Sequence, residues 1–157
     1  MEILTEGTRG CRRGPEDWFT GIVWIDEVVT TTAPARLTAA RVSFAPGART
    51  AWHTHPVGQT LHVLSGSGWV QLQGEARREI RSGDTVWIEP GEVHWHGASA
   101  THTMVHLAIQ EADEAGVAVL WGEHVTDKEY GGQDKVAQQK QIPCEDGNQK
   151  SKDIGRY

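Results

Sequence analysis

Short runs rich in β-branched and aromatic residues, several alternating apolar with polar positions, recur through most of this chain. "GIVWIDEVV", "LTAARVSF", "TLHVL", "GWVQLQ", "TVWI", "VHWH" and "THTMVHLAIQ" fall between about residues 20 and 125. Regularly spaced strands of this kind predict an all-β sandwich or small barrel. Between them, "APGA" at 45–48, "SGSG" at 65–68, "RSGD" at 81–84 and "EPGE" at 89–92 supply residues that tolerate tight turns and positive φ. Helical periodicity is almost absent. One helical turn is expected at "TDKEYGG", where Thr126 and Glu129 have capping-box spacing and Gly131 or Gly132 ends the element. It closes a single domain over residues 1–131, with a core at about 20–125. Residues 132–157 are polar and nearly without apolar anchors, which predicts a mobile tail. The chain shows no internal repeat of solenoid or propeller type.

At 157 residues there is room for one core and not for two. The 38% apolar residues and 18 glycines together match an ordinary globular composition. A net charge of -6 and a pI near 5.7 argue against a nucleic-acid partner, which needs clustered Lys and Arg. The opening "MEILTEGTRGCRRG" has no apolar signal core, and no run approaches membrane-spanning length, so the chain is expected to be cytoplasmic with no membrane partner. Cys11 and Cys144 lie far apart and outside any C-x-x-C spacing, which favours neither a disulfide framework nor a thiolate metal site.

The histidines carry the chemistry. Seven of the eight fall between His53 and His106. Residues two apart on a strand share a face, so His53 and His55 can offer imidazoles to one point, and His94 and His96 form a second such pair. Three imidazoles and an oxygen donor suit a divalent transition metal. His96, on the face of His94, is expected to enter the same cavity. In "THTMVHLAIQ", His106 and Gln110 share a parity with Met104 and Ala108, against Val105, Leu107 and Ile109, and by pattern either face can be the inward one. Ala40 and Val42 share a strand face and could leave room for an aromatic substrate. His62, His102 and His124 read as structural, and Trp87 and Phe44 as packing or cavity wall.

"PGARTAWHTHPVGQTLHVLSG" resembles the first cupin motif: Gly47, five residues, His53-x-His55, three residues, an acidic position, six residues and Gly66. "GDTVWIEPGEVHWHGA" resembles the second, with Gly83, Asp84, Gly91 and His94 in place. Three positions depart: Gln59 stands at the usual Glu, Glu89 at the usual Pro and Ala98 at the usual Asn. With "GPEDWFTG", "MVHLAIQE" and "EHVTDKEY", the chain is similar over about residues 14–131 to small bacterial cupins associated with carboxymuconolactone decarboxylases. Among these it resembles the manganese-dependent cupin hydroxynitrile lyases.

The resemblance implies a jelly-roll (double-stranded β-helix) barrel with His53, His55, Gln59 and His94 as metal ligands. It implies Mn(II), while the donor types alone also suit Fe, Ni or Zn. It places His106 inward; with that, His106 and His96 are the expected catalytic residues, and Ala40, Val42 and Gln110 are the expected substrate-pocket residues. The implied reaction is reversible cleavage of a cyanohydrin such as (R)-mandelonitrile to benzaldehyde and hydrogen cyanide. A neutral Gln59 leaves the site its full +2 charge, favouring Lewis-acid chemistry on an alcohol oxygen over stabilisation of high-valent iron. A homodimer or homotetramer is implied, with "DWFTGIVWIDEVV" able to add to a neighbour's sheet. The competing expectations are a cupin dioxygenase and a non-catalytic metal-stabilised binding domain.

Overall fold

The β-branched runs become strands of two antiparallel sheets that curl into a half-barrel, and one long strand belongs to both. The computed structural model describes residue 1 and residues 3–132. The first sheet contains β1 (Cys11–Arg13), β3 (Val23–Thr30), β4 (Leu37–Phe44), β11 (Met104–Glu111), the first half of β7 (Gln59–Leu72) and β9 (Thr85–Ile88). The second contains β2 (Phe19–Thr20), β5 (Arg49–Thr50), β10 (His94–Ala98), the second half of β7 and β8 (Arg78–Arg81). At its end β6 (His53–Thr54) pairs with both β10 and β12 (Leu120–Trp121). This is the all-β architecture expected from the strand pattern.

"SGSG" does not make the turn between strands that its composition favours. β7 runs straight through it for 14 residues, pairing with β11 before the bend and with β10 after it. Glycine is required there by close approach. Gly66 has φ 78°, and a Cβ on it would lie 1.9 Å from the Thr103 carbonyl oxygen, while one on Gly68 would lie 2.1 Å from that of Gly97. The small residues let one strand cross between sheets with a shift of parity: Leu61 and Val63 face the core before them and Val70 after them.

Burial settles the parity of β11. Met104, His106 and Ala108 are buried, whereas Val105, Leu107 and Ile109 are only half-buried on the outer face. That outer face continues to exposed Trp24 through Ser43 and to exposed Trp87 through Thr60. Trp87 is 54% exposed, so it is neither the core packing nor the cavity wall its apolar strand predicted. It covers Gly58 on the outside instead. β3 pairs within its own chain along β4 and is partly covered on its other edge by β1.

The expected helical turn is present as α1 (Asp127–Gly131), with the capping box between Thr126 and Glu129 complete. Buried Arg49 ties it down, donating to the Val125 carbonyl at 2.8 Å and to Asp127 at 2.7 Å while lying over the Tyr130 ring. Tyr130 in turn donates its hydroxyl to the Ala98 carbonyl at 2.8 Å, on the strand that carries His94 and His96. The tail expected over 132–157 and Cys144 lie, apart from Gly132, outside the described residues; Cys11 is a free, exposed thiol. Among the described residues no helix is long and apolar enough to cross a membrane.

Candidate functional site

β6, β7, β10 and β11 converge, and four histidines, His53, His55, His96 and His106, line the resulting space with Gln59 and Gln110. A cavity of about 550 Å³ opens there. His53 and His94 face each other in register across β6 and β10, with ring centroids 4.2 Å apart. His96, two residues along β10, points to the same side, and His53, His94 and His96 hold ligand atoms within 4.8 Å of one another. That is a three-histidine group positioned to hold a metal ion. His55, just past β6, lies outside that trio but has its ring 5.1 Å from His53 and 5.5 Å from His94. Gln59, at the start of β7, places Oε1 3.3 Å from His94 Nε2.

The partner of each Nδ1 divides the rings into two kinds. His53 Nδ1 meets the Ala51 carbonyl at 2.9 Å, His55 Nδ1 the Ala118 carbonyl at 2.8 Å and His94 Nδ1 the Glu92 carbonyl at 2.9 Å. A carbonyl only accepts, so each Nδ1 carries the proton and each Nε2 offers a lone pair. Metal-binding imidazoles are held in this way, with the far nitrogen fixed by a backbone acceptor. Gln59 Oε1 therefore confronts an unprotonated His94 Nε2, two acceptors that a cation between them would reconcile. His55 Nε2 is buried without a hydrogen-bond partner. On these observations a divalent cation fits the donor set.

His96 and His106 are anchored to each other instead. His106 Nε2 and His96 Nδ1 are 3.2 Å apart, sharing one proton, and the outer nitrogens, His106 Nδ1 and His96 Nε2, are buried without partners. The His96 backbone amide donates to Thr50 Oγ1 at 3.1 Å, and Phe44 packs against both rings.

Burial keeps these imidazoles neutral, because charging a ring out of water is costly. It pushes His94 and His106 down to about 4. His53 and His96 are lowered well below the ordinary value, first by burial and then by neighbouring rings, and burial also lowers His55.

Of the remaining residues singled out by sequence, Ala40, Val42 and Gln110 lie on the cavity wall. His62 turns outward to Thr85, His102 sits exposed before β11, and His124 is exposed near Thr20. The aromatic wall was not anticipated. Trp18 and Trp121 stack at 5.2 Å, Trp121 lies 4.8 Å from the His53 ring, and Arg12 sits over Trp18. "VLW" after the Gly116 turn is a weak strand signal that would have brought Trp121 to β6.

A double-stranded barrel built round clustered histidines defines a class, and comparison with known proteins agrees. The cupin domain model matches residues 40–110. The chain is 56% identical over 130 residues to the (R)-mandelonitrile lyase of Granulicella tundricola, covering 83% of this chain and 98% of that protein. It is similar to the solved structure of a cupin-like protein from Thermotoga maritima, at 39% identity and TM-score 0.72, over 83% of this chain and 95% of that one. A polyketide cyclase from Streptomyces resistomycificus shares the fold at 17% identity and TM-score 0.65, over 83% and 91% of the two chains. The chain belongs to the cupin family.

Proposed function

We propose that this cupin is a metal-dependent hydroxynitrile lyase, cleaving and forming (R)-mandelonitrile from benzaldehyde and hydrogen cyanide. The observation that carries the reading is the neutral His96–His106 pair, buried beside a ligand set that needs a cation. The name of the Granulicella relative supports the substrate, and its 56% identity extends over 130 residues, 83% of this chain.

The proposed ligands are His53, His55, Gln59 and His94, and the proposed metal is Mn(II); His55 is preferred to His96 of the geometric trio because its Nδ1 is fixed by a backbone carbonyl, whereas His96 Nδ1 is engaged with His106. Such an ion supplies Lewis acidity that lowers the pKa of a substrate hydroxyl. The protein's own part is proton traffic and shape. With the shared proton on His106 Nε2, His106 Nδ1 is a free acceptor and His96 Nε2 carries a hydrogen. His106 Nδ1 then takes the hydroxyl proton as the carbonyl forms. The carbon–carbon pair leaves with cyanide, which takes a proton from His96 Nε2. One proton enters the pair and one leaves it, so the reaction balances as cyanohydrin to aldehyde plus hydrogen cyanide. Acid–base help of this kind is typically worth ~10² to 10⁴-fold. Ala40 and Val42 leave the wall shallow on one side, and Trp18 and Trp121 offer flat apolar surface to an aryl group.

The reading includes a homodimer or homotetramer, in which the apolar outer face of Val105, Leu107 and Ile109 is covered. Light scattering after size exclusion tests this, and a monomer at micromolar concentration would refute it.

The activity is tested by following benzaldehyde absorbance from racemic mandelonitrile with manganese-loaded protein, beside metal-free protein and Gln59→Ala. Metal-dependent release that consumes the R enantiomer first is expected. Release no faster than the spontaneous rate, with oxygen uptake by iron-loaded protein instead, would replace the lyase with an oxygenase.

A further inference from the structure

Gln59 poses a problem that a carboxylate ligand does not. The two ends of a carboxylate are both acceptors, whereas a glutamine amide presents an acceptor at one end and two N–H donors at the other. Turned the wrong way, it would aim N–H groups at a cation. Something must hold the amide one way round.

The register of the sheet supplies it. Gln110 on β11 lies directly across from Gln59 on β7, as a cross-strand pair on the inward face. Gln59 Nε2 donates to Gln110 Oε1 at 2.9 Å, and this contact leaves Gln59 Oε1 facing His94 Nε2 at 3.3 Å. Gln59 is 4% exposed, so little of its amide is open to solvent.

The geometry points to Gln110 as a positioning residue that fixes the Gln59 amide with its oxygen toward the metal, beyond any part it plays in lining the pocket. The inference rests on the proposed ligand set. It makes Gln110 the companion of a neutral ligand: a chain with Glu at position 59 has no need of it.

Isothermal titration of metal-free protein with Mn(II) tests this without reference to turnover. Wild-type protein is expected to bind, and Gln110→Leu to bind about 10- to 100-fold more weakly, the usual cost of removing a group that orients a ligand. Gln110→Glu, which still accepts from Gln59, is expected to bind at least as tightly as wild type. Gln110→Met, unbranched and close in length, is expected to weaken binding as leucine does; a loss in Gln110→Leu alone, with wild-type affinity in Gln110→Met, would mean that leucine disturbs the sheet and would overturn the proposal. In a Gln59→Glu background, Gln110→Leu is expected to cost nothing. Wild-type affinity in both Gln110→Leu and Gln110→Met, or a loss carried undiminished into the Gln59→Glu background, would overturn the proposal. Absence of Mn(II) binding by wild type would instead overturn the ligand set, and this inference with it.

Discussion

The five buried histidines are alike in type, burial and neutrality, yet they form two regions that differ in a single respect. His53, His55 and His94 each give Nδ1 to a backbone carbonyl, whereas His96 and His106 are bonded to one another. A backbone acceptor cannot take or return a proton at neutral pH, so it freezes a tautomer and makes the ring a fixed donor of its lone pair. A second imidazole can do both, so the tautomer of the pair is free to shift. On the proposed reading, one region holds a cation and the other moves protons, although the rings of both are packed against one another.

Substitutions on the two sides should therefore fail differently. The largest effect is expected from His94→Ala, which removes the ring that faces both His53 and Gln59: bound metal and turnover disappear together, read by elemental analysis and the mandelonitrile assay. His96→Gln should retain metal and lose about 10² to 10⁴-fold in rate, the range for removing an acid or base. Retention of metal by His94→Ala, or its loss from His96→Gln, would break the division.

A smaller effect comes from the burial of these rings. His94 and His106 are lowered to about 4 by burial, while an unfolded chain titrates near 6.5. Between those values the unfolded state binds protons that the native state refuses, so stability falls as pH drops. Metal-free protein should lose on the order of 3 kcal/mol per ring, at most, as pH falls from about 6.5 to 4. A thermal melt followed across that range is expected to show a steep decline. A flat melting temperature would mean that the rings are already hydrated or charged.

Much of this was legible beforehand, for reasons that differ by residue. The His94/His96 spacing was legible because strand periodicity is strict and side chains two apart share a face, whereas His55 lies just past the end of β6, where that periodicity no longer applies. The parity of "THTMVHLAIQ" was not legible from pattern, because Val105, Leu107 and Ile109 are as apolar as a core face and burial alone separates the two. "SGSG" misled for a related reason. Glycine permits a turn and also permits two backbones to approach within a Cβ's radius, and composition does not distinguish these uses. The Ala118 carbonyl that fixes His55 comes from a loop 63 residues away, so no local signal announces it. The Gln59–Gln110 contact likewise needed the register of β7 against β11.

The central claim is that the mutually bonded pair serves chemistry and not metal retention, and it is tested most directly by measuring bound manganese and turnover on the same sample of His106→Ala. The account predicts wild-type metal content with a rate lowered about 10² to 10⁴-fold. Metal content falling in step with the rate would place His106 in support of the metal site and contradict the division between the two regions.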